Sequence, residues 1–364
     1  MSELTPINFT RGVPANESFP IRDITKAAVA AMLDYGDSLM QYGPSLGFAP
    51  LREWLANFYG VQPNEVLASN GSLQIVEFLS TQLIEPGDVV YTESPTYDRT
   101  ITTLRRHKAD IIGIPGGADG PDLDALESAL KKRPPKFFYI IPDFQNPSGA
   151  MHSRAKRQRL VELADQYNFW LVEDAPYRWL RYRGADEPTL FELARHRVLH
   201  MSSFTKIIAP GARLGYMIGS ADMLAKVAKI AEDTYISPNY LSHGLAYEWC
   251  RRGHLPAQIE MLKKLYAPRL DACLAAIDHY MPDAQATRPD GGFFISVTLP
   301  EGVMTTAVRA AAAKRNLNLA DGLAFFPNGG GERFLRLPFC ALAPAQIDEG
   351  IRRLADSVNE ARGK

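Results

Sequence analysis

Between residues 88 and 219 the chain alternates short apolar runs with amphipathic stretches. The runs "DVVYTE" at 88, "ADIIGI" at 109, "KFFYII" at 136, "FWLVED" at 169, "VLHMSS" at 198 and "LGYMIG" at 214 have strand length and strand composition. Most of the stretches between them carry helical spacing. In residues 154–167, for example, Leu160, Val161 and Ala164 fall on one face. Such alternation predicts an α/β domain with a largely parallel sheet. After Ser220 the texture changes to long helical stretches through "LAYEWCRRG" and "QIEMLKKLYAPRLDACLAAI". Strand-like "GGFFISVTL" and "RFLRLPF" follow, with helices over 304–315 and 344–360. This second region reads as a smaller α+β lobe. The expected division is an arm (1–35) joined to the small domain, a large domain (36–255) and a small C-terminal domain (256–364), hinged on the helix near 255–280.

Composition narrows the class. A length of 364 residues suits two lobes, and a formal net charge of -1 offers no field for nucleic acid or an anionic membrane surface. Apolar stretches are broken by charge before membrane-spanning length. The start "MSELTPINFTRG" lacks the basic-then-apolar pattern of a secretory signal. Cys250, Cys273 and Cys340 are few, odd in number and scattered, which suits a reducing compartment, so a cytoplasmic protein is expected. No H-E-x-x-H or Walker-type loop occurs, and no metal is expected. His196 and His200 share a helical spacing but straddle a strand start, so they read as structural.

Four motifs sit just beyond strand ends, where open α/β sheets place ligands. Asn70-Gly71-Ser72 opens a helix whose free N–H groups suit a phosphate; read alone, it is equally an N-cap by Asn70 or Ser72. In "PDFQNPSG", Asn146-Pro147 makes a tight turn that aims an amide inward. In "LVEDAPYRWL", Glu173 and Asp174 end an apolar strand ahead of Tyr177. A carboxylate there must meet a cation or cap the next turn. In "SSFTKIIAPGARLGY", Lys206 follows Ser202, Ser203 and Thr205, with Arg213 seven residues on. A lysine near an arginine has its ammonium form disfavoured, as an imine-forming amine requires. Together the four fit pyridoxal 5'-phosphate. Asp174 would hold the pyridine nitrogen protonated, Asn146 and Tyr177 would bond the phenolic oxygen, and Ser72, Ser203 and Arg213 would hold the phosphate.

Ser203-x-x-Lys206 followed by Pro210-Gly211-x-Arg213-x-Gly215, with "QNPSG" and "EDAPY" upstream, resembles the fold-type I class I/II aminotransferases. The branch is that of the 2-aminoadipate and kynurenine aminotransferases and the effector domain of MocR-type regulators. "QYGPSLGFAPLREWLA", "ESPTY" and "RFLRLPF" stand in the family's order, and the resemblance runs from about Ile7 to Val358. It implies the PLP-dependent transferase fold of type I, with a mostly parallel mixed sheet in the large domain and a smaller α+β domain. It also implies ping-pong transfer of an amino group between an L-amino acid and a 2-oxo acid, in amino acid metabolism or biosynthesis.

The resemblance assigns roles as well. Lys206 is the imine lysine and proton shuttle, with Asp174 and Tyr177 beside it in the catalytic set. Gly71, Ser72 and Leu73 form the phosphate loop, and Tyr97 stacks on the pyridine ring. Arg336 clamps the substrate carboxylate, and Asn146 and Gly12 lie beside it. Tyr42 reaches the phosphate of a neighbouring subunit, which makes the protein a homodimer with shared sites. Two positions depart from the pattern. Leu73 replaces the family's usual glutamine, which predicts weaker phosphate anchoring. In "RGVP" Arg11 replaces a glycine; it reads first as a solvated arginine on the arm, and as the alternative it meets the distal carboxylate of an acidic amino acid. The related chains carry a longer leading segment that helps choose substrates, so the substrate of that branch is not carried over to this sequence. A MocR-type regulator would carry a helix-turn-helix domain before the arm, and that reading is disfavoured. Another PLP reaction, as in a lyase, racemase or oxidase, stays open, because the cofactor site alone does not select the bond that breaks.

Overall fold

The computed structural model describes residues 5–363. Its strands, in chain order, begin with β1 (Ile7–Phe9), β2 (Val66–Ser69), β3 (Val89–Ser94), β4 (Asp110–Gly117) and β5 (Gly120–Pro121). Then come β6 (Phe137–Ile140), β7 (Trp170–Asp174), β8 (Val198–Ser203) and β9 (Gly215–Ile218). The last four are β10 (Gln285–Ala286), β11 (Phe294–Thr298), β12 (Leu317–Leu319) and β13 (Phe334–Pro338). Each of the six apolar runs is therefore a strand.

The large sheet has the order β2-β9-β8-β7-β6-β3-β4-β5. Pairings among β8, β7, β6, β3 and β4 are parallel, while β9 runs antiparallel to both β8 and β2. Its strands are apolar almost throughout because helices cover both faces. Phe138, Ile140, Leu171, Val198 and Tyr216 pack on one face, and Phe137, Tyr139, Val172, Leu199 and Met217 on the other. The period-2 alternation of β-structure produces this division.

The second core lies under the antiparallel sheet β10-β11-β13. β1 pairs in parallel with β12, Ile7 opposite Leu317, so the beginning of the chain is stitched to its last third. Ile7 and Phe9 belong to this small core, whereas Ala15, Ala27, Ala31 and Leu39 pack in the large one. The helix His254–Tyr280 spans both cores: Leu262 and Tyr266 face the large core, Leu270 and Cys273 the small one. Pro268, which has no N–H to donate, lies where its buried face changes core. Segment 10–13 follows β1 and crosses the cleft between the lobes, beside the C-terminal ends of β7 and β8.

Candidate active site

β8 and β9 run antiparallel with Ser203 opposite Gly215, and the eleven-residue connection between them carries Lys206 and Arg213. Two short 3₁₀ turns, Phe204–Lys206 and Pro210–Ala212, shape it. The Ser203 hydroxyl accepts from the Thr205 N–H at 3.2 Å, and Phe204 N–H bonds Leu214 O at 3.1 Å. Arg213 then takes a left-handed conformation, φ 48° and ψ 47°, which costs a side-chain-bearing residue about 1 kcal/mol. Its guanidinium thereby reaches the start of helix Ser72–Leu83 and bonds Asn70 O at 3.3 Å.

That helix start is open. Gly71 is the N-cap, with φ +100° and no side-chain cap, so neither Asn70 nor Ser72 blocks the first N–H groups. A Cβ on Gly71 would lie 2.8 Å from an Arg213 nitrogen, and one on Gly215 would lie 2.3 Å from Ser72 N. Two glycines thus let an arginine and a helix N-terminus converge on one point, the arrangement that binds phosphate. Leu73 lines the same corner, and its backbone N–H belongs to this open turn.

Adjacent residues of β7 point to opposite faces. Glu173 is fully buried and satisfied: it bonds His200 at 2.8 Å and takes the N–H groups of Leu190 and Phe191. Asp174 is also buried, yet it meets no cation and caps no turn. Tyr139 donates to its Oδ2 at 2.6 Å, and among the described residues Oδ1 has no partner. Burial pushes its carboxyl up to about 6, against the opposing hydrogen bond from Tyr139.

Lys206 Nζ donates to Gly12 O at 3.0 Å. Burial lowers its pKa to about 8, and Arg336 adds a smaller push in the same direction. The sequence pointed to Arg213 as the destabilising neighbour; the contributing arginine is Arg336, because Arg213 is drawn away to the helix start. Burial raises Tyr177 well above the ordinary tyrosine value, so it remains a hydroxyl donor.

Asn146 sits in a loop tied at several points. Gln145 bonds Pro95 O at 2.7 Å, and buried Arg157 grips Asp143, Pro142 O and His152 O. Arg336 extends from β13 between Phe294 and Phe325, 5.0 and 4.6 Å from the ring centres. It donates to Asn146 Oδ1 at 2.9 Å and Thr10 O at 2.7 Å, while among the described residues its Nε has no partner.

These groups border one cavity of about 620 Å³. Gly71, Ser72, Leu73, Ser203 and Arg213 form one end, Asp174, Tyr177, Lys206 and Tyr97 the middle, and Asn146, Arg336, Arg11 and Gly12 the other end. Of the predicted residues only Tyr42 lies elsewhere, 72% exposed and beside a separate surface hollow.

The family model for aminotransferase class I and II matches residues 5–354. The chain belongs to that family. It is 35% identical over 353 residues to a 2-aminoadipate transaminase of Thermus thermophilus, covering 96% of this chain and 89% of that one. It is 33% identical to an aromatic-amino-acid aminotransferase of Thermococcus litoralis, over 98% and 89% of the two chains. Among solved structures, the α-aminoadipate aminotransferase of T. thermophilus, complexed with N-(5'-phosphopyridoxyl)-L-leucine, superposes with a TM-score of 0.94. The identity is 34%, over 98% of this chain and 93% of that chain. The fold is that of the type I PLP-dependent transferases, and the protein is a PLP-dependent aminotransferase. No helix of the described chain is long and apolar enough to cross a membrane.

The residues present suit that cofactor on two structural counts. The orphaned Asp174 Oδ1 calls for a buried N–H⁺, and the glycine-walled corner at Ser72 and Arg213 calls for a compact anion. Sequence reasoning missed Tyr139, Thr10, Phe294, Phe325 and Arg99, all of which border the cavity or its charged groups. For Tyr139 the sequence held no signal, because only the strand pairing brings it to Asp174. Its strand neighbour is Val172, two residues before Asp174 and hence on the same face.

Proposed function

We propose that this aminotransferase acts on acidic L-amino acids, through the groups named above. Ser72, the N–H of Leu73, Ser203 and Arg213 hold the cofactor phosphate, Tyr97 covers the ring, and Asp174 faces the pyridine nitrogen. Pyridoxal phosphate supplies an aldehyde that accepts the amino group and a protonated ring that withdraws electrons from Cα. Lys206, with its ammonium disfavoured by burial, supplies the neutral amine that carries the cofactor and moves the proton at Cα. Tyr177 donates from its hydroxyl and Asn146 from its amide, steadying the phenolic oxygen. Arg336 turns its fork to the substrate carboxylate, a planar match that lysine lacks. Gly12 O, the present acceptor for Lys206 Nζ, lies next to where that substrate enters.

Arg11 supports the acidic preference. It lines the cavity, and among the described residues none is ion-paired with it. The neighbouring charges are balanced locally, Arg99 with Asp98 and Asp321 with Arg309, each at 3.7 Å. We further read the protein as a cytoplasmic homodimer. Val29, Met32, Leu33 and Met40 leave an exposed apolar stripe on helix Ile21–Met40, next to Tyr42. A second copy on that stripe would bring Tyr42 toward the partner's phosphate corner. The three cysteines are free and buried, which suits a reducing compartment.

The observation that carries this reading is the convergence, in one cavity, of a lysine amine pushed down to about 8 and a buried aspartate with a free oxygen. An amino-acid panel with purified holoprotein tests it. Glutamate or 2-aminoadipate should release the matching 2-oxo acid while the aldehyde absorbance is lost. Release of ammonia or carbon dioxide instead would make the enzyme a lyase, oxidase or decarboxylase.

A further inference from the structure

Asp174 has two oxygens with unequal surroundings. Oδ2 receives the Tyr139 hydroxyl at 2.6 Å, within the range of a charge-assisted O–H···O⁻ bond, and Oδ1 receives nothing. A carboxylate at the end of a strand can still turn about its last side-chain bond, and a single fixed donor sets that angle. Tyr139 is such a donor. Its ring is fully buried in the core beneath the helix Asp98–Arg106, and its register on β6 places it on the Asp174 face of β7. Its own hydroxyl is held protonated, first by burial and then by the charge of Asp174.

Several other groups face this pair. His200 approaches from β8 but is committed to Glu173 at 2.8 Å. Tyr97 and Tyr177 feel the Asp174 charge from above, and Thr100 approaches the Tyr139 hydroxyl from its helix. Lys206 and Arg213 share the cavity. Within this set, Tyr139 alone donates a hydrogen bond to Asp174.

We infer that Tyr139 is a positioning residue: its hydroxyl grips one oxygen of Asp174 so that the other stays ionised and aimed at the pyridine nitrogen. The inference rests on the proposed role of Asp174. Its action passes through the carboxylate, so its mark is a change in proton affinity at both ends of the Asp174–nitrogen contact. Tyr139→Phe keeps the ring and deletes only the donor.

The test has two spectroscopic readouts. Infrared titration of the apoprotein, with Asp174→Asn as the blank, follows the Asp174 carboxyl. Nitrogen NMR of bound ring-¹⁵N pyridoxal phosphate follows the pyridine nitrogen. In Tyr139→Phe the carboxyl midpoint should rise by about one pH unit from its wild-type value, the size expected for losing a hydrogen bond to a charged group. At a fixed pH the nitrogen signal should move toward that of the neutral ring, because the more basic carboxylate draws the shared proton to itself, with cofactor affinity down about tenfold. Replacing Tyr139 with 3-fluorotyrosine preserves packing and strengthens the donor, so its carboxyl midpoint should fall. Unmoved midpoints in both variants, with the nitrogen signal still altered by Asp174→Asn, would overturn the inference alone. A nitrogen signal indifferent to Asp174→Asn as well would overturn the role of Asp174 on which it rests.

Discussion

The two walls of the cleft are built differently. The large-lobe wall presents groups left unsatisfied by rigid elements: Asp174 Oδ1 at the end of a central strand, the uncapped start of helix Ser72–Leu83, and Arg213 in a left-handed turn. The opposite wall, formed by segment 10–13, Phe294, Phe325 and Arg336, is largely bonded already, within itself and across the cleft, with Arg336 Nε its one exception among these groups. Arg336 is held by Asn146 Oδ1 and Thr10 O, and Lys206 by Gly12 O. The first wall therefore stores cost in the empty protein, which a ligand of the right charge relieves. The second exchanges one set of hydrogen bonds for another when a ligand arrives. A resident cofactor needs the first kind of site, and a substrate that must come and go needs the second.

The largest effect should come from Lys206, which touches both walls. Lys206→Ala should lower transamination by more than ~10³-fold, since on the proposed reading it removes the amine and the proton shuttle together. Borohydride treatment of the wild-type holoprotein should label the peptide containing residue 206; label on another peptide would break the assignment.

Asp174→Asn sharpens the comparison because it should split stability from binding. The folded carboxyl is raised from its ordinary 3.8 to about 6. A folded value above the unfolded one means that this residue's contribution is fully present below pH 4 and is lost as pH rises through 6. In the apoprotein that loss is worth roughly 3 kcal/mol at neutral pH. Denaturant melts should show apo Asp174→Asn more stable than wild type at pH 7.5 and equal to it near pH 4. Cofactor affinity should fall ~100-fold. Equal stabilities at pH 7.5 would mean that the large-lobe wall stores no such cost.

The same contrast explains what was legible in the sequence. The large-lobe wall is written in contiguous stretches: an apolar run fixes a strand, and the polar residues that follow, each with a bland reading of its own, fit one cofactor when taken together. Lys206, Asp174, Asn146 and Ser72 could be picked out for that reason. Tyr139 could not, because "KFFYII" reads as core, and its hydroxyl finds Asp174 only once β6 is known to neighbour β7. The other wall is assembled from residues near 10, 294, 325 and 336, brought together by the β1–β12 and β11–β13 pairings. No local pattern announces that Ile7 will lie opposite Leu317, or that two phenylalanines will flank Arg336. Tyr42 is a further case, since the cavity that holds Lys206 does not include it and it borders a separate hollow.

The smallest expected effect is at Arg11, on the more adaptable wall. This side chain is exposed at the cavity edge, where solvent screens its charge and a contact with a substrate carboxylate is worth little more than a surface ion pair. Arg11→Ala should therefore cut kcat/KM for glutamate or 2-aminoadipate only about fivefold, mainly through KM. A neutral amino acid of similar length should be turned over as before, because on the proposed reading Arg336 would still hold the α-carboxylate. Raising salt should shrink the wild-type preference toward that of the variant, as screening replaces the missing charge. Arg11→Glu should carry the preference further, against acidic donors and toward basic ones. Equal losses for acidic and neutral substrates would instead place Arg11 in the packing of the arm.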